Sequence, residues 1–430
     1  MDYRPVRFGL VGCGHHTYPV IDGIPVLRQG RVAVQHHTTS AQEVSGPAVA
    51  DLVEWVKAGN GQEALVCLLS FPPNVPVRGG HRLWGVPGAA ALGTWLRRRT
   101  VRKMLAQQHS AQDWMRLFYL RSRGVDQELM GYFLCRFGQP RHLAALTCLQ
   151  VLPDDDRPVL DLACGFGHLA HTIVQWPRSR PVVGVDRNFF QLWVAKRHIA
   201  PEAMFVCADA GDGLPFPDDT FGGALCSDAF HLLPGKQFCL DELRRCTPGG
   251  PILLTRVGNR HVEPNEGSEL SPAEYLGLAM NMHTVLFDEN ELVRSYLANT
   301  APEVCSADTE AKWLTIIAGP QALDLGPPRQ SGDWPHAAGR LAINPIYAHH
   351  QAQHGGTALI FQFPSTWYAF ENARMLDYHQ PAITLDAKQV RGIHDGELTP
   401  ELATLVEQFV LIGVPDHYLH APGATRQPAP

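Results

Sequence analysis

The sequence predicts an α/β fold built on a doubly wound, largely parallel sheet, with further units appended before and after it. The main observation is segment 159–170, VLDLACGFGHLA, in which a short apolar run leads into a glycine-rich turn and the start of a helix. Segments 181–186 (PVVGVD) and 204–210 (MFVCADA) each show a further apolar strand followed by an acid. Continuous apolar runs of this kind are typical of parallel strands covered on both faces.

The glycine-rich turn predicts a binding site for a small molecule. A strand, a tight Gly-x-Gly turn and a helix N-terminus bring backbone amides close to a ligand, because glycine has no Cβ in the way. Asp161 lies inside this motif and can accept a hydrogen bond from a ligand amine. Residues 165–170 also fit the dinucleotide pattern G-x-G-x-x-G/A, and Asp186 follows about 20 positions later, where a ribose-binding acid is expected. The turn alone therefore leaves a nicotinamide-dependent oxidoreductase open.

Four later segments favour a different class of enzyme. They are LPFPDDTF at 214–221, a strand at 222–230, a helix at 238–250 that ends in Pro-Gly-Gly, and a strand at 251–258. With D-x-x-C-G-x-G at the first strand, this series resembles the class I S-adenosylmethionine-dependent methyltransferases. Within that family it is most similar to the ubiquinone and menaquinone C-methyltransferases, the methyltransferase type 11 subgroup.

The resemblance implies a Rossmann-like, seven-stranded mixed sheet, methyltransferase activity and S-adenosyl-L-methionine as cofactor. It implies that residues near the strand ends contact the cofactor. Asp161, Ala163, Cys164, Gly165 and Gly167 would lie at the methionine end, and Asp186 at the ribose. Arg187 would cover the adenine face, Asp209 and Ala210 would contact the adenine edge, and Ser227 and Asp228 would face the reaction crevice.

The acceptor side of the site is less specific. His231 follows the fourth strand, and we expect it either to act as a catalytic base with a pKa near the working pH or to pack against the strand end. Tyr132 and Arg136 lie on an N-terminal helix that in the family often covers the cofactor, so they are candidate lid and substrate residues. His283 ends a lid helix expected at 273–283 and is a further substrate candidate.

Four units are expected along the chain. Residues 1–40 contain TYPVIDGIPVL, which resembles the end of a zinc-ribbon module that also occurs as a separate methyltransferase activator. Residues 45–125 are expected to be helical and irregular, residues 128–320 to form the methyltransferase core, and residues 335–420 to form a C-terminal accessory α+β unit. Because Cys13 has no second ligand pair at a suitable spacing, no metal site is expected.

The charge and composition of the chain limit the kinds of partner that it can bind. The 430 residues carry a formal net charge of −6, with a pI near 6.4, so no overall positive field would attract nucleic acid or an anionic membrane. The 10 cysteines include no C-x-x-C pair, which is typical of reduced thiols in a cytoplasmic protein. No signal peptide or membrane span is evident. A homodimer formed through the appended units is one possible assembly.

Three enzymatic functions remain in competition, beside a cofactor-binding partner without catalysis of its own, which the intact motifs disfavour. The leading hypothesis is methyl transfer to the O, C or N atom of a small molecule in specialised metabolism. An RNA or protein methyltransferase is the alternative, suggested by the zinc-ribbon-like segment and the basic run at 97–103. The third is the NAD-dependent oxidoreductase, which leaves Asp209 and the LPFPDD string unexplained.

Overall fold

The computed structural model describes residues 6–12, 14–33, 45–70, 89–119, 125–175, 180–262, 269–329, 334–351, 356–396 and 398–422. Cys13, part of the predicted zinc-ribbon-like segment, lies outside these ranges. Among the described residues, no group of three or more histidine, cysteine or acidic side chains is placed to hold a metal ion.

The N-terminal unit starts with a small antiparallel sheet and continues as helices. Its strands are β1 (Phe8–Gly12), β2 (Thr17–Ile21) and β3 (Ile24–Pro25), followed by the pair β4 (Arg31–Ala33) and β5 (Ser45–Ala48). The helices are α1 (Val49–Lys57), α2 (Gly61–Ser70), α3 (Ala89–Leu105) and α4 (Ala111–Tyr119). The turn between β2 and β3 places Asp22 and Gly23 at positive φ, a conformation that glycine adopts without strain.

A seven-stranded mixed sheet forms the centre of the molecule, and the predicted Rossmann-like fold is confirmed. Its strands are β6 (Val159–Leu162), β7 (Val182–Asp186), β8 (Met204–Cys207), β9 (Gly223–Ser227), β10 (Ile252–Gly258), β11 (His283–Asp288) and β12 (Trp313–Gly319). Their order is β11-β12-β10-β9-β6-β7-β8. Strands β6 to β10 run parallel, while β12 is antiparallel to both β10 and β11.

Helices cover both faces of this sheet. They are α5 (Val125–Leu134), α6 (Pro140–Cys148), α7 (His168–Gln175), α8 (Phe189–Val194), α9 (Lys236–Cys246), α10 (Pro272–Leu278) and α11 (Glu289–Ala298). All seven residues of β10 are buried. Leu253 packs in one apolar cluster, while Ile252 and Leu254 pack in the other, as the alternation of side chains along a strand requires.

The order of the strands reverses at β6, which pairs with β7 on one side and β9 on the other. In open α/β sheets, ligands bind outside the carboxyl ends of the strands at such a reversal. The N-terminal unit borders the same sheet at its β8 edge, where Val26 forms a parallel bridge with Cys207. The Leu27 amide donates to the Cys207 carbonyl at 2.8 Å.

The C-terminal unit packs against α5 and α6. It consists of β13 (Arg340–Ile343), β14 (Tyr347–Gln351), β15 (Thr357–Phe361), α12 (Thr366–Glu371), β16 (Ala382–Leu385), α13 (Ala387–Asp395), α14 (Pro400–Glu407) and β17 (Leu411–Val414). The Tyr418 hydroxyl donates to the Phe133 carbonyl at 2.7 Å, and the Tyr378 hydroxyl donates to the Gly138 carbonyl at 2.9 Å. The buried apolar residues of the C-terminal unit belong to the same continuous core as those of the N-terminal helices.

Candidate active site

The glycine-rich turn follows β6 as predicted, and it depends on positive φ at Ala163, Gly165 and Gly167. A Cβ on Gly167 would lie 3.1 Å from Ala195 Cβ and 3.3 Å from the Phe205 ring, so this position requires glycine for helix–sheet packing. Gly165 faces open space, since a Cβ there would meet only a Gln191 oxygen at 3.8 Å. The turn is thus closed on its protein side and open at Gly165, as close approach of a ligand requires.

Asp186 ends β7 beside this turn. Its Oδ2 accepts from the Gly165 amide at 3.0 Å, and its Oδ1 accepts from the Asn188 amide at 2.8 Å. Burial raises the pKa of the Asp186 carboxyl. Each carboxylate oxygen has a second lone pair, so both can still accept a hydrogen bond from a diol. The Cys164 amide donates to the Val185 carbonyl at 3.1 Å, which fixes the turn against β7. Arg187 directly follows Asp186 at the end of that strand.

Asp161 is the least satisfied carboxyl in this region. It is only 2% exposed, and its Oδ2 has no hydrogen-bond partner among the described residues. Burial, and then the negative charge of Asp186, raise the pKa of Asp161 to about 8. A buried acceptor next to an open glycine turn is suited to a ligand that carries a cationic amine.

Asp209 and Ala210 follow β8 as predicted, but Asp209 already has partners. Its Oδ1 accepts from the Gly211 amide at 3.0 Å, and its Oδ2 lies 3.1 Å from Nη2 of Arg28 in the N-terminal unit. Sequence reasoning missed Arg28, because nothing in a local pattern links residue 28 to a strand end near residue 209.

The two residues after β9 differ in their surroundings. The Ser227 Oγ is buried and has no hydrogen-bond partner among the described residues. Asp228, by contrast, accepts from the Tyr132 hydroxyl and from Nη1 of both Arg136 and Arg141 at 3.1 Å. The predicted lid residues Tyr132 and Arg136 therefore reach the crevice by binding Asp228.

Arg256, at the end of β10, is the third arginine beside Asp228. Its Nε lies 3.0 Å from Asp228 Oδ1, and its φ of 53° is left-handed, like the φ of 58° at Asp228. Burial opposes ionisation of Asp228, but Arg141, Arg256 and Arg136 together hold the pKa of this carboxyl well below its ordinary value. Asp228 is consequently an ionised, arginine-bound group.

The same ion pairs extend into the C-terminal unit. Arg256 donates to Glu289 at 2.5 Å and to Glu371 at 2.9 Å, and Arg141 lies 3.7 Å from Glu371. We call this set the arginine cluster; it comprises Tyr132, Arg136, Arg141, Asp228, Arg256, Glu289 and Glu371. Of these, the sequence analysis identified only Tyr132, Arg136 and Asp228; an arginine at the end of an apolar strand was the one signal for Arg256.

His231 differs from the expectation in its pKa. It is buried, with its ring 5.5 Å from that of Trp313. Burial lowers the pKa of His231 to about 4, although Asp228 opposes this shift. The imidazole is thus neutral at neutral pH, but it is a weaker base than a histidine with a pKa near the working pH. The expected pKa is wrong, and a catalytic role for His231 stays a prediction.

The prediction for His283 is wrong. The lid helix expected at 273–283 is α10 and ends at Leu278, and His283 is instead the exposed first residue of the edge strand β11. His283 pairs with Gly319 of β12. The neighbouring Ala318 pairs with Ile252, the first residue of β10. His283 therefore lies at the amino ends of the parallel strands, opposite the crevice.

Comparison with known proteins identifies the central part of the chain. Residues 159–250 match the methyltransferase domain family. A phthiotriol/phenolphthiotriol dimycocerosates methyltransferase from Mycobacterium ulcerans is 31% identical over 31% of this chain and 55% of its own length. A trans-aconitate 2-methyltransferase from Delftia acidovorans is 26% identical over 43% of this chain and 72% of its own length. The chain thus spans about half the length of the first of these relatives.

Among solved structures, a SAM-dependent methyltransferase from Thermotoga maritima, titled a possible histamine N-methyltransferase, is similar. It is 18% identical, and the match covers 46% of this chain and 96% of that chain with a TM-score of 0.34. Within the described ranges, no helix combines the length and the apolar character needed to cross a membrane.

Proposed function

We propose that this chain, in which residues 159–250 form a class I S-adenosylmethionine-dependent methyltransferase domain, transfers the methyl group of that donor to the O, C or N atom of a small molecule. The observation that carries the proposal is the unpartnered Oδ2 of Asp161, buried beside the open side of Gly165 and the strand-end acid Asp186.

The residues at the crevice fit the donor. Asp161 would hold the amine of the methionine end, the amides around Gly165 its carboxylate side, and Asp186 the ribose hydroxyls. Ala163, Cys164 and Gly167 shape the same turn. The Ser227 hydroxyl, buried without a partner among the described residues at the end of β9, would face the crevice. The bound donor supplies an electrophilic sulfonium methyl, so the chain must orient the acceptor and exclude water.

The cover over the acceptor side favours a small molecule over RNA or protein. Tyr132 from α5 binds Asp228, and Glu371 from α12 binds Arg256, so two helices from different units meet at the ends of β9 and β10. A crevice bordered by helices from two units suits a compact acceptor better than an extended polymer. Two relatives are named for phthiotriol/phenolphthiotriol dimycocerosates and for trans-aconitate, while another is named for ribosomal RNA.

The experiment is calorimetric titration of the full chain with S-adenosylmethionine, S-adenosylhomocysteine and NAD. We expect both sulfur nucleosides to bind and NAD to give no heat. Incubation with a labelled donor and panels of small molecules, RNA and protein then identifies the acceptor class. Binding of NAD alone would overturn the proposal, and label found only in RNA or protein would replace the small molecule with a polymer.

Replacing Asp186 by Ala should weaken S-adenosylhomocysteine binding about 100-fold, because two hydrogen bonds to a charged acceptor are lost. Titration of D186N, which keeps the size of the side chain, should show a smaller loss. The matched control is D212A, an exposed acid near the end of β8. Unchanged affinity of D186A would show that the ribose is bound elsewhere.

Donor binding at pH 7 should release close to one proton. With a pKa of about 8, Asp161 is mostly protonated before binding, and the donor's cationic amine then stabilises its carboxylate. Calorimetry in buffers of different ionisation enthalpy measures this proton count. The D161N variant should bind more weakly and release no proton, whereas equal proton counts for D161N and wild type would exclude Asp161 as the source.

A further inference from the structure

The adenine end of the donor site is bordered by the N-terminal unit, which lies outside the matched domain. Val26 pairs with Cys207 on the β8 edge, so the next two residues, Leu27 and Arg28, run past the carboxyl end of that strand. The chain then returns beside the end of β7, where Ala33 bridges to Asn188. Residues 27–33 thus cross the ends of the two strands whose acids are predicted to bind ribose and adenine.

Arg28 enters this region with hydrogen-bonding capacity to spare. Its side chain is only 10% exposed, and its Nη2 lies 3.1 Å from Asp209 Oδ2. Its Nε and Nη1 are both buried and have no hydrogen-bond partner among the described residues. Native structures rarely leave two buried donors of one guanidinium unsatisfied. The two free donors of Arg28 therefore indicate that a ligand is their partner.

The chemistry of the partner follows from the charges nearby. Asp209 has one oxygen on the Gly211 amide and the other on Arg28, so its charge is largely compensated within the protein. The remaining arginine donors require an acceptor, and the guanidinium plane can also stack on an aromatic ring. An adenine ring supplies both features, since its ring nitrogens accept hydrogen bonds and its face is flat.

We propose that Arg28 is a donor-binding residue, which positions Asp209 and contacts the adenine of S-adenosylmethionine through its free Nε and Nη1. The inference rests on the proposed function and adds a residue from the N-terminal unit to its site. The segment after β3 is then part of the binding site, because the bridge of Val26 to Cys207 at the end of β8 places Arg28 at the nucleoside.

The test is calorimetric titration of full-length R28A and R28K with S-adenosylhomocysteine and with 5′-methylthioadenosine, which lacks the amino acid. R28A should bind both ligands roughly 10- to 100-fold more weakly, because the lost hydrogen bonds involve a charged donor. R28K keeps the charge opposite Asp209 but has no planar fork, so we expect an intermediate loss. The matched control is R31A, since Arg31 in the same unit is exposed and donates to the Gly46 carbonyl at 3.0 Å.

The readouts separate a binding role from a folding role. A loss shared by both ligands, together with an unchanged unfolding temperature of ligand-free R28K, supports contact with the nucleoside. If R28A does not fold, R28K decides the question. Wild-type affinity of R28K for both ligands would overturn the role of Arg28 and leave the proposed function intact. Failure of the wild-type chain to bind either ligand would overturn the proposed function itself.

Discussion

Replacing Asp228 with Asn is expected to lower the free energy of unfolding by about 3–5 kcal/mol, the usual cost of removing one partner from a buried ion-pair network. Asp228 faces the guanidinium groups of Arg136, Arg141 and Arg256, all of them buried. Without the carboxylate, three desolvated cations would retain only Glu289 and Glu371 as buried counter-charges. Urea denaturation at pH 7, followed by fluorescence and circular dichroism, measures the loss.

The matched control is D218N, because Asp218 pairs with Arg245 at 2.8 Å but its side chain is 79% exposed. An exposed ion pair contributes little, so we expect a change of less than about 1 kcal/mol. Titration with S-adenosylhomocysteine adds a second readout for D228N. Wild-type stability together with lost donor binding would contradict the structural role and support the prediction that Asp228 is a cofactor residue.

The arginine cluster explains how one crevice is built from three parts of the chain. Arg136 and Arg141 come from α6 and the turn before it, Asp228 and Arg256 from the sheet, and Glu371 from the C-terminal unit. Each unit contributes charges that need counter-charges from another unit, because a buried unpaired ion is costly. The C-terminal unit is thus held in place over the acceptor side by the same ion pairs that shape it.

The central sheet and the glycine turn could be predicted from the sequence because their signals are local. An apolar run such as 159–162 must be covered on both faces, and Gly165 and Gly167 occupy backbone conformations that other residues avoid. Asp186 follows from the same logic, since it ends a strand whose neighbour carries the turn.

The partners of the site residues could not be predicted, because they come from distant parts of the chain. Arg28 meets Asp209 only after the segment following β3 joins the sheet edge, and Arg136 lies 92 positions from Asp228.

The error at His283 has a local cause, because a short apolar segment is compatible with either a helix or a strand. The run Thr284–Phe287 continues the edge strand β11 that His283 begins, so His283 does not end a helix.

Acidification is expected to unfold the protein at a mildly acidic pH, because many of its histidines are buried in the neutral form. Burial lowers the pKa of His171 to about 4 and that of His336 to about 3. The buried histidines with a lowered pKa are His142, His168, His171, His231, His336 and His379.

The direction of the effect follows from proton binding. In the unfolded chain these groups take up protons near pH 6.5, whereas in the folded chain they do so only at much lower pH, so the unfolded state gains protons first. Their contribution to stability is present above pH 6.5 and is lost as the pH falls towards their folded values. Each histidine removes roughly 1 kcal/mol between pH 7 and 5.5, and six together remove several kcal/mol. That sum is comparable to the whole stability of an ordinary domain. Asp161 opposes part of this loss, because its folded pKa of about 8 keeps a proton that the unfolded carboxyl releases. Asp228 changes little in this range, because its contribution is lost only as the pH falls from about 4 towards its lowered folded pKa.

The measurement is the urea midpoint as a function of pH, and one variant makes it specific. His142 is 1% exposed, neither of its ring nitrogens has a partner among the described residues, and its ring lies 5.4 Å from that of Phe137. H142F should therefore fold, and it should reduce the slope of stability against pH by roughly 1 kcal/mol per pH unit between pH 6 and 5. H15Q, at an exposed histidine, should leave the slope unchanged. A flat profile from pH 7 to 5 in the wild type would mean that these histidines gain protons as readily in the folded as in the unfolded chain, and that their burial is not what determines acid stability.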